Sequence, residues 1–253
     1  MAVIIDHTNR RVLDVLENRD QATVTAYLQQ AKASGLLAQV TEVTTDMWDA
    51  YVNAARAAFG PDVAVVIDRF HVVKNLQERL VEARRELQRQ LPKDEAKQLK
   101  GSRWLWCKNW ETLTDEERQE LSALRTQFPT LARLADQREA LRTLFEDRQV
   151  TTPAAGVERL KTWISAARDL GLKALNAFCQ TLENWLPMIA NYFLHRSSNG
   201  PTEGFNRGLR TILWRAFGMT NFRNFRLRIL DRFSRPQPQE STGMAESLKT
   251  PML

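Results

Sequence analysis

Apolar positions in the first third of the chain fall in short β-rich runs and helical stripes. Ala2 to Ile5 and Arg11 to Leu16 are two β-rich runs separated by a His-Thr-Asn turn, which predicts a hairpin. Gln21 to Ser34 carries Val24, Leu28 and Ala31 at helical spacing and stops at Gly35. Val40 to Thr45 reads as a strand ending at Asp46, and a helix follows to Phe59 before Gly60-Pro61. Val63 to Ile67 is a continuous apolar run, the pattern of a strand buried on both faces of a parallel or mixed sheet, and Asp68 follows it directly. The predicted order is ββαβαβ.

From about Val72 to Phe193 the pattern changes to charged segments of 3.6-residue period, such as Leu76 to Leu91 and Asp115 to Leu124, with no convincing strand. Trp104, Trp106, Trp110, Trp163 and Trp185 in this block are expected to form its own core. His195 to Thr202 is turn chemistry leading into a further helix at Glu203. From Pro236 the composition is polar and Pro-containing, that of a disordered tail. These shifts divide the chain into 1–75, a helical block 76–194, a returning segment 195–233 and a tail 234–253.

Composition narrows the function classes. A hydrophobic content of 43% over 253 residues is enough for a buried core. The aliphatic runs are too short to cross a bilayer, and Met1 opens into Ala-Val-Ile-Ile-Asp without a signal sequence, so a cytoplasmic, non-membrane protein is expected. Cys107 and Cys179 stand far apart, which suits two buried thiols and leaves no Cys-x-x-Cys spacing for zinc. The net charge is +6, and eight arginines against two acids between Glu203 and Arg235 account for all of it. Arg207, Arg210, Arg215, Arg223, Arg226 and Arg228 alternate there with Trp214, Phe217, Phe222 and Phe225, a composition suited to gripping phosphates while packing on a core. An amphipathic helix with a solvated arginine face explains the same stretch equally well.

Three acids carry candidate chemistry. Asp46 and Asp68 each end a predicted strand, where α/β sheets place ligands, yet each could simply cap the following helix. Glu203 follows Pro201 at a helix start, an ordinary arrangement with Arg207 four residues on. Together, a ββαβαβ unit, a long helical insertion and a returning helix that begins with a Glu make the arrangement of an RNase H-like α/β core interrupted by a large all-helical insertion. Such cores need clustered carboxylates, because two Mg²⁺ ions about 3.5–4 Å apart activate the attacking oxygen and stabilise the leaving one in phosphodiester displacement.

The motifs Thr45-Asp46-Met47-Trp48-Asp49-Ala50-Tyr51, Val66-Ile67-Asp68-Arg69-Phe70-His71-Val72-Val73-Lys74 and Ser198-Asn199-Gly200-Pro201-Thr202-Glu203-Gly204-Phe205-Asn206 occur in this order. On them the chain resembles the ISL-three family of bacterial insertion-sequence transposases, from the amino terminus to about Phe233. The resemblance implies DNA cleavage and strand transfer at transposon ends with Mg²⁺ or Mn²⁺. It gives Asp46 as the second acid and Glu203 as the last of an Asp-Asp-Glu triad, both as metal ligands. Asp68, His71, Asn199 and Asn206 would support them, DNA would be the partner, and synapsis of two ends implies a homodimer. The bacterial nucleoid would be where the bound protein sits.

The family's first Asp lies on a strand before this hairpin, following a zinc-binding and helix-turn-helix region that these residues do not include. An RNase H-like core has three antiparallel strands before its first helix, and two are visible here; the first strand is therefore expected to be missing. Asp6 sits beside the His-Thr-Asn turn, at the far end of the wrong strand to substitute. An amino-terminally truncated chain of little or no cleavage activity is expected, with a non-catalytic DNA-binding remnant as the alternative. An unrelated metal-dependent nuclease on the same fold is a third reading.

Overall fold

The first two apolar runs close the expected hairpin in the computed structural model. It describes residues 1–197, 200–215 and 221–235, with the side chains of 200–203 outside that description. Strand β1 (Ala2–Asp6) pairs antiparallel with β2 (Arg11–Leu16), with an irregularity between Ile4 and Ile5. Asp6 ends β1 and braces the turn. Its carboxylate accepts from the Asn9 backbone N–H at 3.0 Å, from Asn9 Nδ2 at 2.7 Å and from Arg11 Nε at 3.1 Å. Burial pushes its pKa up, but these bonds outweigh it and hold the group below the usual carboxylate value.

The order ββαβαβ holds: α1 (Gln21–Ala33), β3 (Glu42–Thr45), α2 (Asp49–Phe59) and β4 (Ala64–Ile67) follow. Strands β3 and β4 are parallel, with Thr45 opposite Ile67. Among the described residues the hairpin and the parallel pair form two separate two-stranded sheets rather than one mixed sheet. The apolar run of β4 is buried as its pattern requires. Val65 packs with Val52 and Ala55 of α2, whereas Val66 and Ile67 enter the main core.

From Arg69 onward every described element is helical: α3 (Arg69–Gln90), α4 (Lys93–Leu99), α5 (Arg103–Cys107), a 3₁₀ turn at Trp110–Thr112, α6 (Asp115–Gln127), α7 (Pro129–Glu146), α8 (Pro153–Asp169), α9 (Lys173–Ala190), α10 (Tyr192–His195), α11 (Gly200–Arg215) and α12 (Phe222–Phe233). Local chemistry sets several boundaries. Thr114 and Glu117 make a reciprocal capping box on α6, Thr152 caps α8 ahead of Pro153, and Arg196 ends α10 in the left-handed region. The Arg196 guanidinium donates to the carbonyls of Phe145, Asp147 and Val150. The tail expected over 234–253 lies outside the described residues beyond Arg235.

The chain divides into two compact units. One comprises residues 1–24 with 200–253, and the other comprises residues 25–199. In the larger unit one core runs from Val66 and Ile67 through Leu76 and Leu80 of α3 to Leu134, Phe145, Phe178 and Phe193, so the parallel pair and the helices share it. In the smaller unit Val12 and Val15 of β2 pack with Phe205 and Leu209 of α11 and Phe225 and Ile229 of α12.

The tryptophans divide as well. Trp106 and Trp163 are buried and Trp185 is partly so, but Trp104 and Trp110 are 49% and 47% exposed, contrary to the expectation of a shared tryptophan core. On α5 the two-residue step from Trp104 to Trp106 points the rings to different sides of the helix, so only one can reach the core. Cys179 is buried and Cys107 half-buried, and burial pushes both thiols up.

Candidate active site

Parallel pairing brings the two strand-end acids side by side. Thr45 and Ile67 are partners at the ends of β3 and β4, so Asp46 and Asp68 leave the pair at the same carboxyl-terminal edge. The Asp68 N–H extends the ladder to the Thr45 carbonyl at 3.2 Å. Beyond this point the two residues diverge.

Asp68 is the N-cap of α3. Its Oδ1 accepts from the Phe70 N–H at 3.0 Å, and its carbonyl accepts from the N–H groups of His71 and Val72. Its residue is 2% exposed. Asp46 does not cap α2, contrary to the capping alternative: the N-cap position is Trp48, without a side-chain cap bond, and the Trp48 N–H bonds back to the Asp46 carbonyl at 2.7 Å. The Asp46 side chain, 51% exposed, instead accepts from His71 Nε2 at 2.9 Å.

His71 owes its position to α3, whose first turn Asp68 fixes. Its imidazole pKa is raised, first by the hydrogen bond to Asp46, against desolvation, and further by the charges of Asp46 and Asp68. The protonated imidazole and the ionised Asp46 thereby favour each other. Sequence reasoning gave His71 only a supporting place; its three-residue step from Asp68 was the available signal, because helix geometry returns that side chain to the edge where the cap begins.

In chemical kind, Asp46 suits a hard divalent cation, since it offers an exposed carboxylate at a sheet edge. Asp68 suits it less, being buried and engaged with the α3 backbone. Among the described residues no group of three or more His, Cys, Asp or Glu side chains is arranged to hold a metal ion. Asp46 therefore fits as one contributor to such a site, which would require further carboxylates.

The remaining candidates lie on the smaller unit or outside the description. Glu203 is on α11 with its side chain outside the described set, as Asn199 is altogether. Asn206 is half-buried on α11, and Arg207, Arg210, Arg215, Arg223 and Arg228 are exposed on α11 and α12. Arg226 is engaged in a bidentate pair, Nε to Asp14 Oδ1 at 2.5 Å and Nη2 to Asp14 Oδ2 at 2.8 Å. Asp14, 7% exposed on β2, breaks the apolar pattern of its strand, and that interruption was the sequence signal for a buried partner. No helix among the described residues is long and apolar enough to cross a membrane.

Residues 1–229 match the family model for ISL-three transposases of the DDE class, described as Transposase. The transposase for insertion sequence element IS1001 of Bordetella parapertussis is 28% identical over 234 residues, covering 91% of this chain and 56% of that protein. The transposase for insertion sequence element IS1557 of Mycobacterium tuberculosis is 28% identical over 243 residues, covering 86% of this chain and 53% of that protein. The chain thus spans about half the length of the curated relatives it matches. No solved structure matches it.

Proposed function

The chain belongs to the ISL-three family of transposases, and from this premise we propose that it carries part of the machinery that cleaves and transfers DNA strands at insertion-sequence ends. The observation that supports this most directly is the Asp46–His71 pair at the edge of the parallel strands, within the motif that resembles the family's second acid. On this reading residues 1–75 and 195–233 are the two parts of an RNase H-like core and 76–194 its helical insertion. Asp46 and Glu203 are the ligands for Mg²⁺ or Mn²⁺. When bound, the metals supply activation of the attacking oxygen and stabilisation of the leaving one. His71 is a positioning residue: its Nε2–H holds the Asp46 carboxylate in one orientation. Asp68 fixes the α3 turn that aims His71, while Asn199 and Asn206 flank Glu203 in sequence.

Mn²⁺ titration tests the carboxylate assignment without requiring turnover. Asp46→Ala and Glu203→Ala should each weaken Mn²⁺ binding at least tenfold; unchanged binding in both would remove the metal role. Assayed as these 253 residues, strand nicking is expected at background, since the motifs provide two acids of a family triad of three, and losing one ligand costs orders of magnitude. Metal-dependent nicking abolished by Asp46→Ala would overturn that expectation.

A second reading, binding without cutting, is favoured by the exposed arginines of α11 and α12. If about five of them contact phosphates, log K on duplex DNA should fall with log salt at a slope of roughly −4 to −5. Arg223→Gln should flatten it by about one. A slope near zero would take the segment out of DNA binding.

A further inference from the structure

Between α3 and α5 of the larger unit lies a groove of about 240 Å³, whose lining includes Lys74, Arg85 and Arg103 against Glu78 and Glu82. Glu82 is engaged with Arg79 at 3.0 Å. Arg85 and Arg103 form no ion pair among the described residues, although both act on Arg84 beside them. Arg84 is 8% exposed and donates to the Leu99 carbonyl at 2.7 Å; burial first, then Arg85, and also Arg103, push its pKa down. Arg85 and Arg103 thus line the groove without an ion pair among the described residues, and a bound anion would pair with them.

The residue after Arg103 is the exposed Trp104, with Lys108 Nζ lying 5.1 Å from its ring centroid and paired with Glu117 at 2.6 Å. No acid occurs between residues 96 and 110, whereas Lys97, Lys100, Arg103 and Lys108 do. Trp110 is as exposed but sits in acidic company: Glu111 follows it, and Arg118 over its ring pairs with Asp115. A groove lined by Lys74, Arg85 and Arg103, the last followed in the chain by an exposed indole, has the two parts that single-stranded nucleic acid recognises, phosphate contacts and a stacking face.

We propose that this groove and Trp104 form a second nucleic-acid contact, separate from the arginine helices, that takes unpaired nucleotides. Lys74, Arg85 and Arg103 hold the phosphates, and Trp104 stacks a base. The proposal rests on the DNA role proposed above and adds to it a preference for strands that have come apart. Trp110 has no part in it, because none of the groove's lining residues adjoins it in the chain.

The test is fluorescence anisotropy of the whole chain with a labelled thymidine oligomer of about 12 nucleotides, within the length range such sites take, and with a blunt duplex of equal length. Trp104→Ala should weaken oligomer binding about tenfold, in the range measured for one stacked base, and leave duplex binding within about twofold. Arg103→Gln should weaken oligomer binding and reduce its salt slope by about 0.7. Trp110→Ala should match the unsubstituted chain in both. Trp104 lies outside the core cluster, so its variant should keep the melting temperature. Oligomer binding unaffected by Trp104→Ala would overturn the proposal, as would equal losses on duplex and oligomer or the same loss in Trp110→Ala. Self-association abolished by Trp104→Ala while oligomer binding persists would also overturn it and assign the face to a second copy of the chain. Duplex binding that responds to Arg223→Gln tests the arginine helices independently, so failure there is distinguishable from failure here.

Discussion

At Asp46 a carboxylate that could have capped a helix is held by an imidazole instead. Because Trp48 occupies the cap position of α2, the Asp46 side chain reaches His71 at 2.9 Å, while Asp68 at the neighbouring strand end serves its own helix. Both partners of the pair are partly exposed, so its contribution to stability is small; its effect is orientation and charge. The raised His71 pKa fixes the sign of its pH dependence. The stabilisation from the protonated pair is fully present below the ordinary histidine value of about 6.5 and is lost as pH rises through the higher folded value. The melting temperature of the unsubstituted chain should therefore exceed that of His71→Gln most at about pH 6, with the gap narrowing towards pH 8.5. A gap independent of pH across that window would show that the pair does not titrate as described.

Arg226 is the opposite case, a residue whose type suggested DNA and whose surroundings give it a partner in the fold. With Asp14 nearly buried, Arg226→Ala should destabilise the smaller unit by about 1–3 kcal/mol, because it removes the carboxylate's charged partner and leaves it the Val15 N–H. Chemical denaturation of the variant checks this. An unchanged midpoint would mean that solvent satisfies Asp14 equally well.

Among the elements, β4 shows why a continuous apolar run matters. With Val65 against α2 and Val66 and Ile67 in the helical core, neither face is left to water, and the strand can present Asp68 rigidly at its end. Helix α8 is held as closely. A Cβ at Gly156 would come 2.2 Å from Phe193 Cδ2, and Phe193 is 1% exposed and stacked on Phe145, so its ring has nowhere to move. Alanine would improve helix propensity by up to about 1 kcal/mol, but overpacking costs about 1–3 kcal/mol. A lowered melting temperature for Gly156→Ala is the expected outcome; a raised one would mean that α8 can shift away from α10. Helix α5 shows how an element can carry both a core residue and a surface one, since Trp106 is buried and Trp104 exposed only two residues apart.

For the whole molecule, residues 1–24 and the described residues from 200 to 235 belong to one unit, while the parallel pair belongs to a core built mainly of helices. The hairpin, the ββαβαβ order, the buried run of β4 and the helical stretch are legible in the linear chain. Each of these depends on local periodicity and turn chemistry within a few residues. The family too was legible from the strand-end and Glu203 motifs, because short ordered motifs survive in the linear chain. Three-dimensional packing settles which acid caps and which is offered to a partner, that Arg226 is bound by Asp14, and that the strands among the described residues form two sheets. The same holds for Trp104, which the fold leaves exposed instead of in a core. Those outcomes depend on residues far apart in sequence competing for the same donors and the same buried volume, and no local pattern records the result of that competition.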